Sequence, residues 1–334
     1  MYQLDHNSKV LKTTQIVRFI TKDIELKVLQ KGDRLTSIND FSRKYGLARD
    51  TVERAYKELV EKGLIESVPG KGFYVKGKRN VQIKILLIFN KLSYYKKIVY
   101  DSMIKALGNK AWVDLQIYHY NPDILKRIID ENYGKYHFYV VMPHFFHDAD
   151  MKGCLSIINK IPPNQLVLLD KKMEEIGDQH ISVYQDFEQD IYQVLNKSIK
   201  SINKYEAIAL IFPKHSHHPV EVINGVKKFC KEQSRKFIVS ETVKDKILTP
   251  QTLYVVLTED DLALLLKKAK AAGYTPGKEI GVISFNETPL KELLNITVVS
   301  TDFEEMGKKA AELILKKEYK TVHNPFFMIP RGSL

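Results

Sequence analysis

The sequence of 334 residues predicts a two-domain α/β protein, in which a small domain of helices and one β-hairpin precedes a larger parallel-sheet domain. One observation is that residues 35–75 contain two apolar-faced helical patterns, followed by two short strand-like runs around a glycine-rich tip. Another is that apolar runs alternate with amphipathic helical segments from residue 82 onwards, which is typical of a parallel sheet covered by helices. The chain is long enough for each domain to have its own core.

The small domain carries the signals of two helices joined by a tight turn. Ser37 can cap a short helix, whose apolar residues are Ile38, Phe41 and Tyr45. Gly46 can turn the chain. A second helix from about Ala48 has an apolar face of Val52, Ala55, Tyr56 and Leu59. Its polar residues near the N-terminal end therefore face outward, and these are Arg49, Asp50, Thr51 and Arg54.

Two short strands complete this segment. The runs at 64–66 and 72–75 flank the tip Pro69-Gly70-Lys71-Gly72. Paired strands around such a tip form a wing with a cation at its end. Helix, turn, helix and wing stand in the order of a winged helix-turn-helix, whose second helix inserts its N-terminal end into the major groove of DNA.

The segment resembles the GntR family of bacterial transcription regulators over nearly its whole length. The family's entry, recognition, turn and wing motifs are matched here by residues 32–37, 48–54, 59–65 and 70–75. Thr36 replaces the usual proline, Ala48 replaces the usual serine cap, and Asp50 stands where an uncharged or basic residue is common. Position by position, the resemblance implies DNA contacts from Arg34, Ser37, Arg49, Thr51, Arg54, Lys71 and Gly72.

The distribution of charge agrees with a DNA-binding function. The formal net charge is +12, and more than half of this excess lies in residues 1–79. A localised basic excess is the electrostatic signature of a phosphate-binding surface, because neutralising phosphates releases counterions.

Several classes of protein are disfavoured by simple features of the chain. No apolar run is long enough to span a bilayer, and the start has no basic residues leading into an apolar stretch. Cys154 and Cys230 are too few for a disulfide framework, so we expect buried, reduced thiols. We therefore expect a cytoplasmic protein without a membrane contact.

The larger domain shows the alternation of buried strands and helices. The strand-like runs lie at 83–89, 113–118, 138–142, 166–169, 207–212, 237–239, 253–257 and 280–284. Helical segments separate most of them, for example those at 95–107 and 122–131. Ligands of such folds bind where loops leave the carboxyl ends of the strands.

The C-terminal part of the chain resembles the LacI/GalR effector domain. The stretch 271–287, which contains Gly273, Pro276 and the run Gly281-Val282-Ile283-Ser284-Phe285-Asn286, is similar to a signature region of that family. Further matches, in the correct order, are Leu169-Asp170-Lys171, Asn224-Gly225, 296–299, 306–311 and 329–333. The resemblance implies a periplasmic-binding-protein-like domain, in which two α/β lobes close on a small molecule, typically a sugar.

The family's binding positions point to a set of effector-binding residues. In this chain they are Asn90, Ser93, Tyr94, His144, Phe145, Lys171, Glu259, Asp260 and Asn286. His218 is added to this set because of its position in the loop after the 207–212 strand. Val222 stands where the family has an arginine, so a guanidinium clamp is missing. For stacking on a sugar ring the aromatic candidates are Phe89, Tyr94, Phe145, Phe146 and Phe285, whereas we expect Trp112 in the core.

Two other constellations have simpler interpretations. The cluster His215-Ser216-His217-His218 lacks a cysteine or acidic partner at ligand spacing, so we interpret it as a polar loop and expect no metal site. One of its histidines could replace the missing arginine. The run Glu259-Asp260-Asp261 opens a helix, where carboxylates are favourable, and no catalytic motif or cofactor site is recognisable.

The sequence thus leads to a winged helix-turn-helix domain at 1–77, a linker at 78–81 and a two-lobed effector domain at 82–334. We expect a homodimer that binds palindromic double-stranded operator DNA under the control of a sugar effector and regulates a sugar-utilisation operon. Alternatives are a nucleoside or amino-acid-like effector, or an aminotransferase-like enzyme fused to the DNA-binding head.

Overall fold

A computed structural model describes residues 10–25, 28–76, 82–146, 149–177, 179–213, 218–244 and 247–334. The chain divides into two compact units, Met1–Gln82 and Ile83–Leu334. The linker predicted at 78–81 lies outside the described residues, as do His215 and His217. Within the described part of the chain no helix is long and apolar enough to cross a membrane.

The N-terminal unit has three helices followed by an antiparallel hairpin. Its elements are α1 (Lys12–Glu25), α2 (Ile38–Tyr45), α3 (Arg49–Glu61), β1 (Ile65–Val68) and β2 (Gly72–Val75). Helix α1 is absent from the sequence-based prediction. It contributes Ile16, Val17, Ile20 and Ile24 to the same buried core as α2 and α3.

The ends of these elements follow the predicted local signals. The Ser37 hydroxyl caps α2 by accepting a hydrogen bond from the Asp40 backbone N–H at 3.1 Å, and Gly46 ends the helix with φ 63°. Helix α3 begins after Ala48, which offers no side-chain cap. In the hairpin Ile65 pairs with Val75 and Val68 with Gly72.

The larger unit alternates strands and helices along most of its length. In chain order its elements are β3 (Ile83–Phe89), α4 (Tyr94–Leu107), β4 (Ala111–Ile117), α5 (Pro122–Asn132), β5 (Phe138–Val141), α6 (Met151–Ile158), β6 (Leu166–Lys171), β7 (Ile181–Gln185), α7 (Phe187–Lys197), α8 (Ile199–Ile202), β8 (Ala207–Ile211), α9 (Glu221–Glu232), β9 (Lys236–Ser240), β10 (Thr252–Val256), α10 (Glu259–Ala271), β11 (Gly281–Phe285), α11 (Pro289–Leu293), β12 (Thr297–Thr301), α12 (Phe303–Lys316), β13 (Thr321–His323) and β14 (Phe326–Ile329).

These elements form two lobes, each built on a six-stranded sheet. Lobe 1 has the strand order β13-β7-β6-β5-β3-β4 and lobe 2 the order β14-β12-β11-β10-β8-β9. Among the strand pairings described within these two sheets, only β12–β14 is antiparallel. Both faces of each sheet are covered. In lobe 1, Ile85 and Leu86 of β3 pack on opposite sides, and in lobe 2, Val282 and Ile283 of β11 do the same. This explains why the strands are continuous apolar runs.

The chain crosses between the lobes three times: from β7 to α7, from β12 to α12 and from β13 to β14. Because of the second crossing, the late helix α12 packs on α4 in lobe 1. The carboxyl ends of the parallel strands in both lobes meet at the cleft between them.

The structure corrects one packing expectation and confirms another. Trp112 does not lie in the core, because it belongs to the edge strand β4 and is 59% exposed. Cys154 and Cys230 are both buried and free, and burial raises the pKa of the Cys230 thiol to about 11.

Candidate functional site

Helix α3 carries three of the predicted contact residues outside its buried face, with Arg49 and Arg54 exposed and Thr51 half-buried. Val52 and Ala55 are fully buried, so Arg49, Thr51 and Arg54 project away from that core. Arg49 is oriented by its neighbours: its Nε donates to Asn39 Oδ1 at 3.2 Å, and its guanidinium lies 3.9 Å from the Glu53 carboxylate. The N-terminal half of α3 therefore carries two outward guanidinium groups.

The hairpin brings three further predicted residues together. Arg34 pairs through its backbone with Tyr74 of β2, and its guanidinium lies 3.6 Å from the place that a Cβ at Gly72 would take. Gly72 has φ 102°, a conformation that side-chain-bearing residues rarely adopt. Lys71 is exposed beside it. Arg34, Lys71 and Gly72 thus form one basic edge.

The Ser37 hydroxyl is already used within the protein. It accepts a hydrogen bond from the Asp40 backbone N–H and donates one to Asp40 Oδ2 at 2.6 Å. Its contribution to the structure is that of a helix cap, and a direct contact with DNA stays a prediction.

A cavity of about 460 Å³ lies between the two lobes of the larger unit. Its walls come from the carboxyl ends of strands and the first turns of helices in both lobes. Eight of the ten predicted effector residues line it: Asn90, Ser93, Tyr94, His144, His218, Glu259, Asp260 and Asn286.

Phe145 and Lys171 do not line the cavity. The Phe145 side chain is buried against the Tyr118 ring at a centroid distance of 5.6 Å. Lys171 extends to Glu221 of α9 in lobe 2, with the ammonium 3.8 Å from the carboxylate. In both cases the neighbour in sequence, His144 or Asp170, lines the cavity instead.

A buried polar cluster forms the floor of lobe 1, and of its members the sequence analysis had named only His144 as a binding residue. The Asp170 Oδ2 atom accepts from the Lys96 ammonium at 2.8 Å and from His144 Nε2 at 2.9 Å. Its other oxygen accepts from the Gln185 amide, whose carbonyl oxygen accepts from the Thr301 hydroxyl. The cluster therefore joins the ends of β6, β7 and β12 across the crossover between the lobes.

Electrostatics fix the charge state of this cluster. Burial opposes ionisation of Asp170, but the Lys96 ammonium and the hydrogen bond from His144 outweigh it and hold the pKa of this carboxyl well below its usual range. Burial lowers the pKa of His144, against the raising effect of Asp170. Asp170 is thus a carboxylate and His144 a neutral donor at neutral pH.

Asn286 is held in place from beneath by a buried lysine. The Lys291 ammonium donates to the backbone carbonyls of Phe285 at 2.8 Å and Asn286 at 3.0 Å. Asn286 has φ 65°, which asparagine tolerates better than most residues. Asn286 thus lines the cavity from a turn whose carbonyls are hydrogen-bonded to Lys291.

Aromatic rings cover much of the remaining wall. Tyr95 stacks on Phe303 with centroids 5.2 Å apart, and Phe285 lies 6.3 Å from Phe326. Of the other stacking candidates, Tyr94 also lines the cavity, whereas Phe89 lies in the core and Phe146 lines no part of it. Val222 is at the cavity wall, so that position offers a methyl surface in place of a guanidinium.

Two of the binding-site residues that the sequence analysis missed carried a weak signal in the sequence. Asp170 and Gln185 are polar side chains at the ends of buried strands, a position that often marks a binding site in parallel sheets. Lys96 gave no signal, because a lysine in the first turns of an amphipathic helix is normally exposed. Among the described residues, no group of three or more histidine, cysteine or acidic side chains could hold a metal ion.

Comparisons with known proteins identify both parts of the chain. Residues 12–75 match the family model "Bacterial regulatory proteins, gntR family", and residues 203–325 match a periplasmic binding protein-like domain. The HTH-type transcriptional repressor YtrA of Bacillus subtilis (strain 168) is 30% identical over 120 residues, which is 36% of this chain and 87% of that protein.

Solved structures resemble the fold over three quarters of the chain. The trehalose repressor from Escherichia coli aligns with a TM-score of 0.60 at 17% identity, covering 74% of this chain and 100% of that one. A second structure is a periplasmic binding protein/LacI transcriptional regulator from Alkaliphilus metalliredigens QYMF, complexed with D-xylulofuranose. It aligns with a TM-score of 0.57 at 14% identity and covers 75% of this chain and 98% of that one.

A DNA-binding winged helix-turn-helix joined to a two-lobed ligand-binding fold defines a transcription regulator. The chain belongs to the gntR family of bacterial regulatory proteins, and its larger part has the periplasmic-binding-protein-like fold of LacI-family repressors. Both resemblances noted in the sequence are therefore confirmed.

Proposed function

We propose that operator binding by this regulator is controlled by a monosaccharide-type effector in the cleft between lobes 1 and 2, and that it regulates a sugar-utilisation operon. The cavity carries the proposal, because it combines planar amides with aromatic faces in a volume of about 460 Å³. Sugars need the amides for their hydroxyl groups and the aromatic rings for their C–H faces.

The names of the structural relatives support a sugar as the effector class. One is a trehalose repressor, and another was solved with D-xylulofuranose. The geometry of the cleft agrees with such a ligand, since Asn90 and His144 of lobe 1 lie opposite Asn286 and Asp260 of lobe 2. A ligand that binds both walls favours closure of the lobes, and effector and operator affinities are then reciprocally linked.

The DNA-binding part of the proposal concerns the N-terminal unit. We assign operator contacts to the exposed face of α3, the α2 cap and the basic edge of the hairpin, that is to Arg34, Ser37, Arg49, Thr51, Arg54, Lys71 and Gly72. One such unit covers one half-site, so a homodimer on a palindromic operator doubles both phosphate contacts and base readout. The proposed domain limits are 1–77 and 82–334, with coupling through the linker at 78–81.

Thermal unfolding of the full chain tests the effector. The panel contains pentoses, hexoses and deoxyhexoses with their phosphorylated and acid forms, and nucleosides. A ligand that binds the native state at a hundredfold excess over Kd adds about 2.7 kcal/mol of stability. We expect a saturable rise in Tm for a member of the sugar group, reduced in Asn286→Ala and retained in the control Asn159→Ala, whose side chain is exposed outside the cavity. A rise with nucleosides alone contradicts the sugar proposal.

The proposed operator contacts are tested by fluorescence anisotropy with DNA from the region upstream of the protein's own gene. We expect Arg54→Ala to weaken binding at least tenfold, about 1.4 kcal/mol or more. The matched control is Arg127→Ala on α5, an exposed arginine of the other unit. Equal losses in both variants would mean that only net charge matters and would contradict a recognition role for α3.

A further inference from the structure

Lysine 91 is an unbalanced cation on the wall of the effector cavity. It follows β3 directly and lines the cavity beside Asn90. Across the described ranges it has no ion pair or hydrogen bond. Desolvation by the cavity wall and the nearby Lys96 ammonium lower the pKa of Lys91, with Asp170 opposing them. Lys91 thus adds a second positive charge near Lys96, whose ammonium is already paired with Asp170.

Asp170, the carboxylate that acts electrostatically on Lys91, is not available to balance it. Both oxygens of Asp170 are taken by Lys96, His144 and Gln185. With His144 neutral, the charged groups lining lobe 1 are Lys91, Lys96 and Asp170, so this wall has an excess of one positive charge. The excess is local, because the cavity's other carboxylates, Glu259 and Asp260, belong to lobe 2.

The neighbouring groups add to the positive potential and offer a polar anchor. Helix α4 begins beside Lys91, has Ser93 as its cap and has no acidic residue in its first turn, so the positive end of its dipole faces the cavity. Asn90 is 3% exposed, and its Oδ1 has no hydrogen-bond partner. The Asn90 side chain is hydrogen-bonded to the Tyr120 phenol, which leaves this oxygen as an unsatisfied acceptor at the cavity wall.

Lobe 2 presents the opposite charge. Glu259 and Asp260 open α10, and Glu259 lies 3.8 Å from the buried Lys291 ammonium. Exposed carboxylates accept hydrogen bonds from sugar hydroxyls without needing a cation. The cavity is therefore polarised, with an unpaired cation and a free acceptor on lobe 1 and hydroxyl acceptors on lobe 2.

We propose that the effector is an anionic sugar, whose phosphate or carboxylate group binds Lys91 and the first turn of α4 while an adjacent hydroxyl donates to Asn90. This inference rests on the proposed function and narrows its ligand class. Lys91 is exposed in this structure and lines the cavity. An anion there balances the excess charge of lobe 1 as the cleft closes, whereas a neutral sugar leaves the ammonium without a counter-charge.

The experiment compares each neutral aldose with its phosphate and its aldonic acid, using thermal shift and isothermal titration on the full chain. Inorganic phosphate alone is included as a probe of the anion position. We expect an anionic member to bind at least tenfold more tightly than its neutral parent, with the preference falling as NaCl is added. The phosphate and aldonate arms distinguish the two kinds of anion.

Variants at Lys91 make the assignment specific. Lys91→Met should abolish the preference for the anion, and Lys91→Arg should retain most of it. Lys97→Met is the matched control, because Lys97 is exposed on α4, pairs with Asp101 and does not line the cavity. If Lys97→Met had the same effect as Lys91→Met, the preference would come from net charge and the proposal would be overturned.

The outcomes separate this inference from the function on which it rests. Equal binding of a neutral aldose and its anions, with Lys91→Met weakening all of them alike or none, overturns the anionic effector and leaves the sugar effector standing. Binding of inorganic phosphate that Lys91→Met removes, without binding of any sugar, supports the anion site and contradicts the sugar. No response to any of these compounds overturns both.

Discussion

At the scale of single residues, the buried cluster around Asp170 shows how the cavity floor is stabilised. Asp170 adopts φ 75°, which is unusual for a residue with a side chain. Three donors from separate parts of lobe 1, Lys96, His144 and Gln185, converge on its two oxygens. A fully buried carboxylate is tolerated because each donor offsets part of its desolvation cost.

The neutral state of His144 predicts how stability depends on pH. Since burial lowers the pKa of His144 in the folded protein, the unfolded chain takes up the proton first, near pH 6.5. The contribution of His144 to the free energy of unfolding is therefore fully present above pH 6.5. As the pH falls below 6.5 this contribution is lost, by at most about 1.4 kcal/mol per pH unit. Urea unfolding of the full chain between pH 7.5 and 5 measures this.

The variant His144→Gln keeps a side-chain nitrogen that can donate to Asp170 but cannot titrate. We expect it to be less stable than the parent at pH 7.5 and to lose less stability on acidification. An unchanged slope in this variant would show that His144 is not the group responsible.

At the scale of elements, two glycines allow helices to pack closely in the two lobes. A Cβ at Gly225 of α9 would lie 2.3 Å from the Glu188 carbonyl oxygen on α7. A Cβ at Gly307 of α12 would lie 2.1 Å from Ser102 Oγ and 2.3 Å from the Val99 carbonyl oxygen on α4. The glycines seen in the sequence motifs Asn-Gly and Met-Gly are thus explained by helix packing.

We expect Gly307→Ala to destabilise the protein by about 1–3 kcal/mol, because α12 and α4 must move apart to admit the methyl group. Gly177→Ala is the control, since a Cβ there would meet no atom within 4 Å. Chemical denaturation of both variants gives the comparison. A Gly307→Ala variant as stable as the control would mean that the two helices separate at no cost.

At the scale of the whole molecule, an exposed apolar patch is a candidate for contact between two copies. Leu290, Leu293 and Leu294, on and next to the short helix α11, are 65%, 80% and 55% exposed. Apolar clusters of this kind on a protein surface commonly mark interaction sites. A two-fold contact places the same patch on both subunits, which suits the proposed homodimer.

The double variant Leu290→Lys and Leu293→Lys tests this arrangement. The added lysines would be buried against the same patch of the second copy without a partner, so we expect the dimer to dissociate. Sedimentation velocity measures the mass, and operator binding should weaken together with dimerisation. The control Ile247→Lys changes another residue of lobe 2, which is 94% exposed. A double variant that remains dimeric would place the interface elsewhere.

Local chemistry in the sequence determined the elements and many of their ends. Ser37 and Gly46 delimit α2 because capping and left-handed turns depend on a few neighbouring residues. Of the twelve described strands of the two lobes, eight were recognisable as apolar runs, because strands buried on both faces have no polar side. The strands β7, β12, β13 and β14 were not among the predicted runs. Of the eight predicted effector residues that line the cavity, all but His218 came instead from the resemblance to the LacI/GalR effector domain, and most of them follow strands at their carboxyl ends.

Only the tertiary structure decided which side chains meet. Lys96 and Asp170 are 74 residues apart in the chain, and Thr301 and Gln185 are 116 apart. Asp170, and not Lys171, lines the cavity, and it does so with φ 75°, a backbone conformation that the apolar pattern of β6 does not predict. Hydrogen bonding and charge compensation act through space, so the buried cluster and the unbalanced Lys91 emerge only when the strands are brought together.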